Sequence, residues 1–469
     1  MKERLLKYTP FGLAGTIVAV LIIATIVGAV AGNDVAQESI YTSPFFIALW
    51  AATAITATIY FLHTPAKRVF PTTILHFALI TILAGALLTY TTGERGTLTI
   101  HKESAPASMF VTSDGRLAKF PFRLSLQACE AELRDGSTTP HNYTATLTVD
   151  KPGCEGETAH LAMNKVHSKE GYRFCLANVG EDCATLLVAH DVWGTPVTYC
   201  GYTLLLFGFI ALYMSKRTLL AGLRKQHQAT TTTSTNTSKP LRYLLITAAA
   251  LLFTYITCQG AVQWHEAGLF PVSSAGEAML LVAWSLLLLG LLYHKRSNTM
   301  PGTFLLALLC ICTAIAMGTS RDVQPVLRTP LLKFHVTTII LSYAFIALLA
   351  VNATAALCTY YFKRDYERLQ RSALFGRLLL YPATALLIAG IFIGAMWANI
   401  SWGRYWGWDP KEVWALITLL ICSLGFHTQS FPAMKRPLIF HIFCLMAFLA
   451  VLFTFFGVNY LLGGLHSYA

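Results

Sequence analysis

Residues 438–461 read LIFHIFCLMAFLAVLFTFFGVNYL, 24 positions without Asp, Glu, Lys or Arg. A hydrocarbon core about 30 Å thick needs about 20 apolar residues per helix, so this stretch is long enough to cross a membrane. Ten similar runs lie upstream, at 11–32, 44–62, 70–92, 196–215, 242–262, 274–293, 301–318, 335–362, 380–398 and 412–427. The 469 residues are 55% hydrophobic and only 12% charged, where a soluble domain carries about a quarter charged. The net charge of +12 in so apolar a chain marks Lys and Arg gathered at one membrane face. It does not indicate nucleic acid. The chain reads as an all-α polytopic membrane protein with about eleven transmembrane helices.

With the N-terminus inside, the inner segments hold 20 Lys and Arg against 5 in the short outer loops, which places the C-terminus outside. Lys2, Arg4 and Lys7 before the first run also fit a signal peptide. Its length and the lack of a small-residue cleavage site favour a retained helix. One outer loop, 93–195, is long enough for a core of its own. Its segments Phe120–Leu126, Tyr143–Val149 and Thr185–Val188 are β-rich and punctuated by Gly, Pro and Asp, so it reads as a mostly β extracytoplasmic domain. Cys129, Cys154, Cys175 and Cys183 allow one or two disulfides there, with buried free thiols as the alternative. The inner stretch 227–239, HQATTTTSTNTSK, is too polar to bury a core. It divides the chain into a module at 1–226, with four spans and the outer domain, and a module at 240–469 with seven spans.

The stretch Trp397–Glu412 reads WANISWGRYWGWDPKE and falls at an outer junction. Interface anchoring accounts for one or two aromatics there. It does not account for Trp397, Trp402, Tyr405, Trp406 and Trp408 within twelve residues. Such a cluster offers apolar faces with indole donors, suited to a large planar ligand. Asp409, Pro410 and Glu412 fit an N-cap, a first-turn Pro and a capping-box acid, so Asp409 has a structural and a functional reading of equal standing. Ionisable residues within a membrane are functional candidates by default. His76, His427 and His441 lie towards the inner side, and His335 and His466 on the outer side with the Trp loop. Neutral imidazoles from different helices are a standard axial pair for haem iron.

The run WGRYWGWDPKE resembles the tryptophan-rich WWD signature of haem-handling proteins. With the flanking His and the ending GVNYLLGGLHSYA, the chain resembles System II cytochrome c biogenesis proteins of the fused CcsB–CcsA (ResB–ResC) type. The likeness lies in motifs over 240–469 and in architecture over 1–226. It implies a haem exporter that is also a holocytochrome c synthase, joining haem b through thioethers to the C-x-x-C-H segment of apocytochrome c. By position, His76 and His427 resemble the intramembrane axial pair; His441 has no role in that pattern, and its depth alone makes it a substitute for His427. His335 and His466 resemble the outer axial pair, with Trp402, Trp406, Trp408 and Asp409 against the haem. Arg404 and Lys411 beside the loop have two readings of equal standing, pairing with haem propionates and snorkelling to the interface. The resemblance further implies a bacterial inner membrane and thiol-reducing partner proteins. Two other readings are a transporter of another solute, with Glu277 binding a coupling ion, and a non-catalytic assembly scaffold.

Overall fold

The computed structural model describes every residue except 1, 134–139, 152, 154–155, 231–238, 268–269, 273, 295–298, 319–328 and 463–469. The N-terminal part runs α1 (Lys2–Ala31), a short α2 (Asn33–Ala36), a π-helical turn at Gln37–Tyr41, α3 (Pro44–His63) and α4 (Phe70–Thr92). Eight strands follow: β1 (Glu94–His101), β2 (Ala107–Thr112), β3 (Leu117–Leu133), β4 (Pro140–Asp150), β5 (Glu157–Ala162), β6 (His167–Lys169), β7 (Tyr172–Val179) and β8 (Cys183–His190). The chain returns through α5 (Gly194–Met214) and α6 (Leu219–Thr230), then continues with α7 (Lys239–Ala267), α8 (Ala275–Tyr293) and α9 (Met300–Met317). It ends with α10 (Pro330–Lys363), α11 (Tyr366–Trp402), α12 (Pro410–Leu424), α13 (Pro437–Leu452) and α14 (Val458–Leu461).

Among the described residues ten helices are long and apolar enough to cross a membrane. The eleventh expected run, 412–427, is α12. At fifteen residues it rises only about 22 Å at 1.5 Å per residue. Conversely, α11 begins well before the expected 380, at Tyr366. Its charged first turns hide a helix that the apolar window misses, because long Arg stems carry their charges out to the interface. Residues 231–238 of the expected linker lie outside the described residues.

The helix bundle packs around α10 and α11, with α8 and α13 against them. Ser342 donates to Ala383 O at 2.7 Å and Asn352 to Ser372 O at 2.9 Å. Both bonds join these two helices, the first fully buried and the second partly, and are of the kind that fixes helix pairing in apolar surroundings. Glu277, weighed above as an ion ligand, is the third residue of α8. It closes a capping box with Ser274, so its place in an apolar segment has a structural cause.

The strands form one antiparallel sheet, ordered β5-β4-β3-β2-β1-β8-β7-β6. The three segments expected to be β lie in β3, β4 and β8. Alternate residues, among them Phe110, Phe120, Phe122 and Phe174, fill a separate core, as the period of two requires. Cys129, Cys175 and Cys183 are free thiols, so no expected disulfide forms among the described Cys; Cys154 lies outside them. Cys129 and Cys183 both border Gly180, whereas Cys175 packs against Gly403, the cap of α11.

Candidate functional site

Helical rise puts His76 on the second turn of α4 and His427 two residues beyond the cap of α12. The fold brings these two rings together, with centroids 6.3 Å apart and planes at 79°. Each is oriented by its own backbone: His76 Nδ1 donates to Thr72 O at 2.8 Å and His427 Nδ1 to Ser423 O at 2.9 Å. A carbonyl only accepts, so the proton sits on Nδ1 and the basic nitrogen of both rings is Nε2. Neither Nε2 is hydrogen-bonded among the described residues. A metal held in line by two imidazoles at about 2 Å each sets their centroids roughly 6 Å apart, which fits the pair. The surroundings are aromatic: Phe61 stacks on His76 at 4.3 Å, and Phe11 of α1 meets His427 edge-on at 5.3 Å. His441 is elsewhere. It is fully buried, with Nε2 3.1 Å from Leu369 O, and so packs α13 against α11.

At the other end of the bundle His335 lies on α10, where Nδ1 donates to Gly390 O of α11 at 2.7 Å. This bond again makes Nε2 the basic nitrogen. The ring packs against Gly394, where a Cβ would stand 2.5 Å from two ring atoms. His466 lies outside the described residues.

The Trp loop begins where Gly403, at φ +69, stops α11, and Trp408 holds a left-handed φ of 57. The expected aromatic platform is partly interior. Trp397 is 1% exposed and edges Trp402 at 4.8 Å. Trp408 stacks on Tyr41 at 4.8 Å and 9°, tying the loop to the π-helical turn before α3. Trp406 meets Trp408 edge-on, and its buried Nε1–H has no hydrogen-bond partner among the described residues. Asp409 is the N-cap of α12, and Glu412 Oε2 accepts from Gly407 N at 2.8 Å and Asp409 N at 3.3 Å. The structural reading of these acids therefore holds. Lys411 Nζ donates to Asn459 Oδ1 at 2.8 Å.

The β domain sits on this loop through polar contacts. Arg173 of β7 donates to Asn399 Oδ1 at 2.7 Å and Asn399 O at 3.1 Å, and Asn399 Nδ2 donates to Tyr199 OH at 2.7 Å. Ser401 donates to Asn164 at 2.6 Å, and Tyr405 OH to Thr89 Oγ1 at 2.8 Å. Burial, with like charge from Arg404 adding to it, pushes the Arg95 guanidinium below its usual range, and burial pushes the Cys175 thiol up to about 11.

A cytochrome C assembly protein family matches residues 272–466, and a ResB-like family matches residues 67–185. CcsA of Welwitschia mirabilis, a cytochrome c biogenesis protein, is 30% identical over 260 residues, 46% of this chain and 83% of its own. The chain belongs to the CcsA family of cytochrome c biogenesis proteins. Ahead of the CcsA-type part it carries a ResB-like part. CcsA of Chlamydomonas reinhardtii is 32% identical over 226 residues, 44% of this chain and 63% of its own. Protein NrfI of Wolinella succinogenes is 32% identical over 228 residues, and the match spans 25% of its length. The chain thus covers less than two thirds of both of these relatives.

In this CcsA-family chain the matched ranges carry His335, the Trp loop and His427 in one part and His76 in the other. The close pair His76 and His427 therefore joins the ResB-like part to the CcsA-type part. Sequence reading missed Arg95, Arg173 and Asn399. The one available signal was the position of Arg95, three residues past the end of α4 and so at the membrane edge.

Proposed function

We propose that the chain carries haem from an inner site at His76 and His427 to an outer site at His335, His466 and the Trp loop, and attaches it there to apocytochrome c. The carrying observation is the 6.3 Å approach of the His76 and His427 rings, with both Nε2 atoms left basic. Among the described residues no three His, Cys, Asp or Glu side chains gather as a ligand set. Two imidazoles alone suit a metal that brings its other ligands with it, as haem iron does. The cytochrome c biogenesis family supports the same cargo.

At the outer site the chain's residues act by positioning. His335 and His466 hold the iron, and the Trp side chains grip the macrocycle while leaving the vinyl edge open. Each reduced thiol of C-x-x-C-H adds across one vinyl group, its sulfur bonding one vinyl carbon and a proton ending on the other. Such juxtaposition supplies much of the rate of a bimolecular step. Thiol-reducing proteins keep the substrate Cys reduced. The N-terminus is cytoplasmic and the C-terminus periplasmic in a bacterial inner membrane, with modules at 1–226 and 240–469 joined by 227–239.

The test is spectroscopic. Purified His76→Gly and His427→Gly chains should lose most inner-site haem absorbance, and added imidazole should restore it. His441→Gly should keep its haem. Retention of full haem by His427→Gly, with loss in His441→Gly, would overturn the assignment.

A further inference from the structure

Arg95, Ala189 and Arg173 face one another across β1, β8 and β7, so their side chains leave the same face of the sheet. That face covers the Trp loop: the Ala189 methyl lies 3.9 Å from a Cβ placed on Gly403. Arg173 is committed to Asn399. The Arg95 side chain has no such partner among the described residues. Tyr405, Arg404 and Asp191 lie near enough to act on it electrostatically, and its guanidinium makes no ion pair or hydrogen bond among the described residues. Asp191 already accepts from Gly194 N at 2.8 Å, Thr89 Oγ1 at 2.6 Å and Thr195 Oγ1 at 2.8 Å. Arg404 folds over Gly407, its guanidinium carbon 2.9 Å from a Cβ placed there, and also makes no ion pair among the described residues.

Two guanidinium groups thus lie at the seam between the β domain and the Trp loop, and neither forms an ion pair among the described residues. Drawing such charges away from water is unfavourable unless an anion completes the arrangement, and each planar fork matches a carboxylate in two hydrogen bonds. Beside them stand the aromatic faces of the Trp loop and the unspent Nε1–H of Trp406. We infer that Arg95 and Arg404 bind the two propionate carboxylates of the porphyrin held at the Trp loop, so that the β domain is itself part of the haem-binding site. This rests on the function proposed above.

The test is a fluorescence titration of the full chain with zinc protoporphyrin and with its dimethyl ester, carried out with His76→Gly throughout to silence the inner pair. Replacing Arg95 or Arg404 by Gln should weaken zinc protoporphyrin roughly tenfold each and leave the uncharged ester unaffected, which also shows that the fold is intact. Arg173→Gln, which loosens the same seam, should change neither affinity. If both porphyrins weaken equally, or Arg173→Gln matches Arg95→Gln, the arginines only dock the domain and the inference fails. It also fails if the variants weaken a glutamate-flanked C-x-x-C-H peptide and not the porphyrin. If the chain with both arginines intact binds neither porphyrin, the outer haem site is itself refuted.

Discussion

A single methyl group at Gly394 should disable the outer site without removing any ligand. A Cβ there would stand 2.5 Å from both Cε1 and Nδ1 of His335. Ordinary contact begins near 3.5 Å, so the ring must withdraw by about 1 Å. The hydrogen bond that aims it, Nδ1 to Gly390 O at 2.7 Å, does not survive that movement. Its loss costs about 1 kcal/mol. Replacing Gly by Ala inside a helix returns about the same amount, so protein level and melting temperature should stay near the parental values. Function should not, because a misplacement of about 1 Å can lower a positioned reaction roughly a hundredfold. The assay is haem-stained holocytochrome c per unit of membrane protein, together with bound haem from the absorption spectrum. Maturation should fall at least tenfold while inner-site haem persists. In a His335→Gly chain the same Gly394→Ala change should cost nothing further, since no ring remains to be displaced. Parental maturation by Gly394→Ala, or full additivity of the two changes, would refute the role given to His335.

Asp409→Ala should lower stability by about 1 kcal/mol through loss of the α12 cap and leave maturation largely working, with Asp409→Asn near parental. Abolished maturation in both at normal protein level would give Asp409 a direct role. Trp408→Ala removes the stack on Tyr41 and should cost about 3 kcal/mol, read as a lower melting temperature; an unchanged melt would show that the stack does not tie the loop. Cys175, with its thiol pushed up to about 11, should hold roughly one thiolate in a thousand at pH 8 and alkylate slowly. Its rate should rise about tenfold per pH unit below that value. Cys129, Cys175 and Cys183 should all label after unfolding without reductant, and a reductant requirement would establish a disulfide.

Local chemistry was readable in the residues. The Asp409-Pro410-x-Glu412 cap needs only four neighbours, and its reading held. The β segments around Phe120, Tyr143 and Thr185 were marked by their own alternation and turns. The lengths of α11 and α12 were not, because an apolar window measures hydrophobicity, while helix limits follow from caps at Asp365, Gly403 and Asp409. His427 and His441 looked equivalent by depth. What separates them is tertiary: α13 turns His441 into the core, whereas His427 lies past the end of α12 and faces α4. The row from Arg95 to Arg173 depends on strand register across 78 positions of sequence, and no local pattern encodes it.

The Trp loop and His427 are the two ends of one short helix, and this makes α12 a gauge. Its fifteen residues set both a separation and a phase, since each residue adds about 1.5 Å of rise and 100° of rotation. One inserted residue would lengthen the helix only slightly yet swing the loop a quarter turn or more relative to His427. Seven would bring the phase back to within about 20° but lift the loop by about 10 Å. No small insertion preserves both the facing and the spacing. The length of α12 can therefore change only if other parts of the bundle change with it.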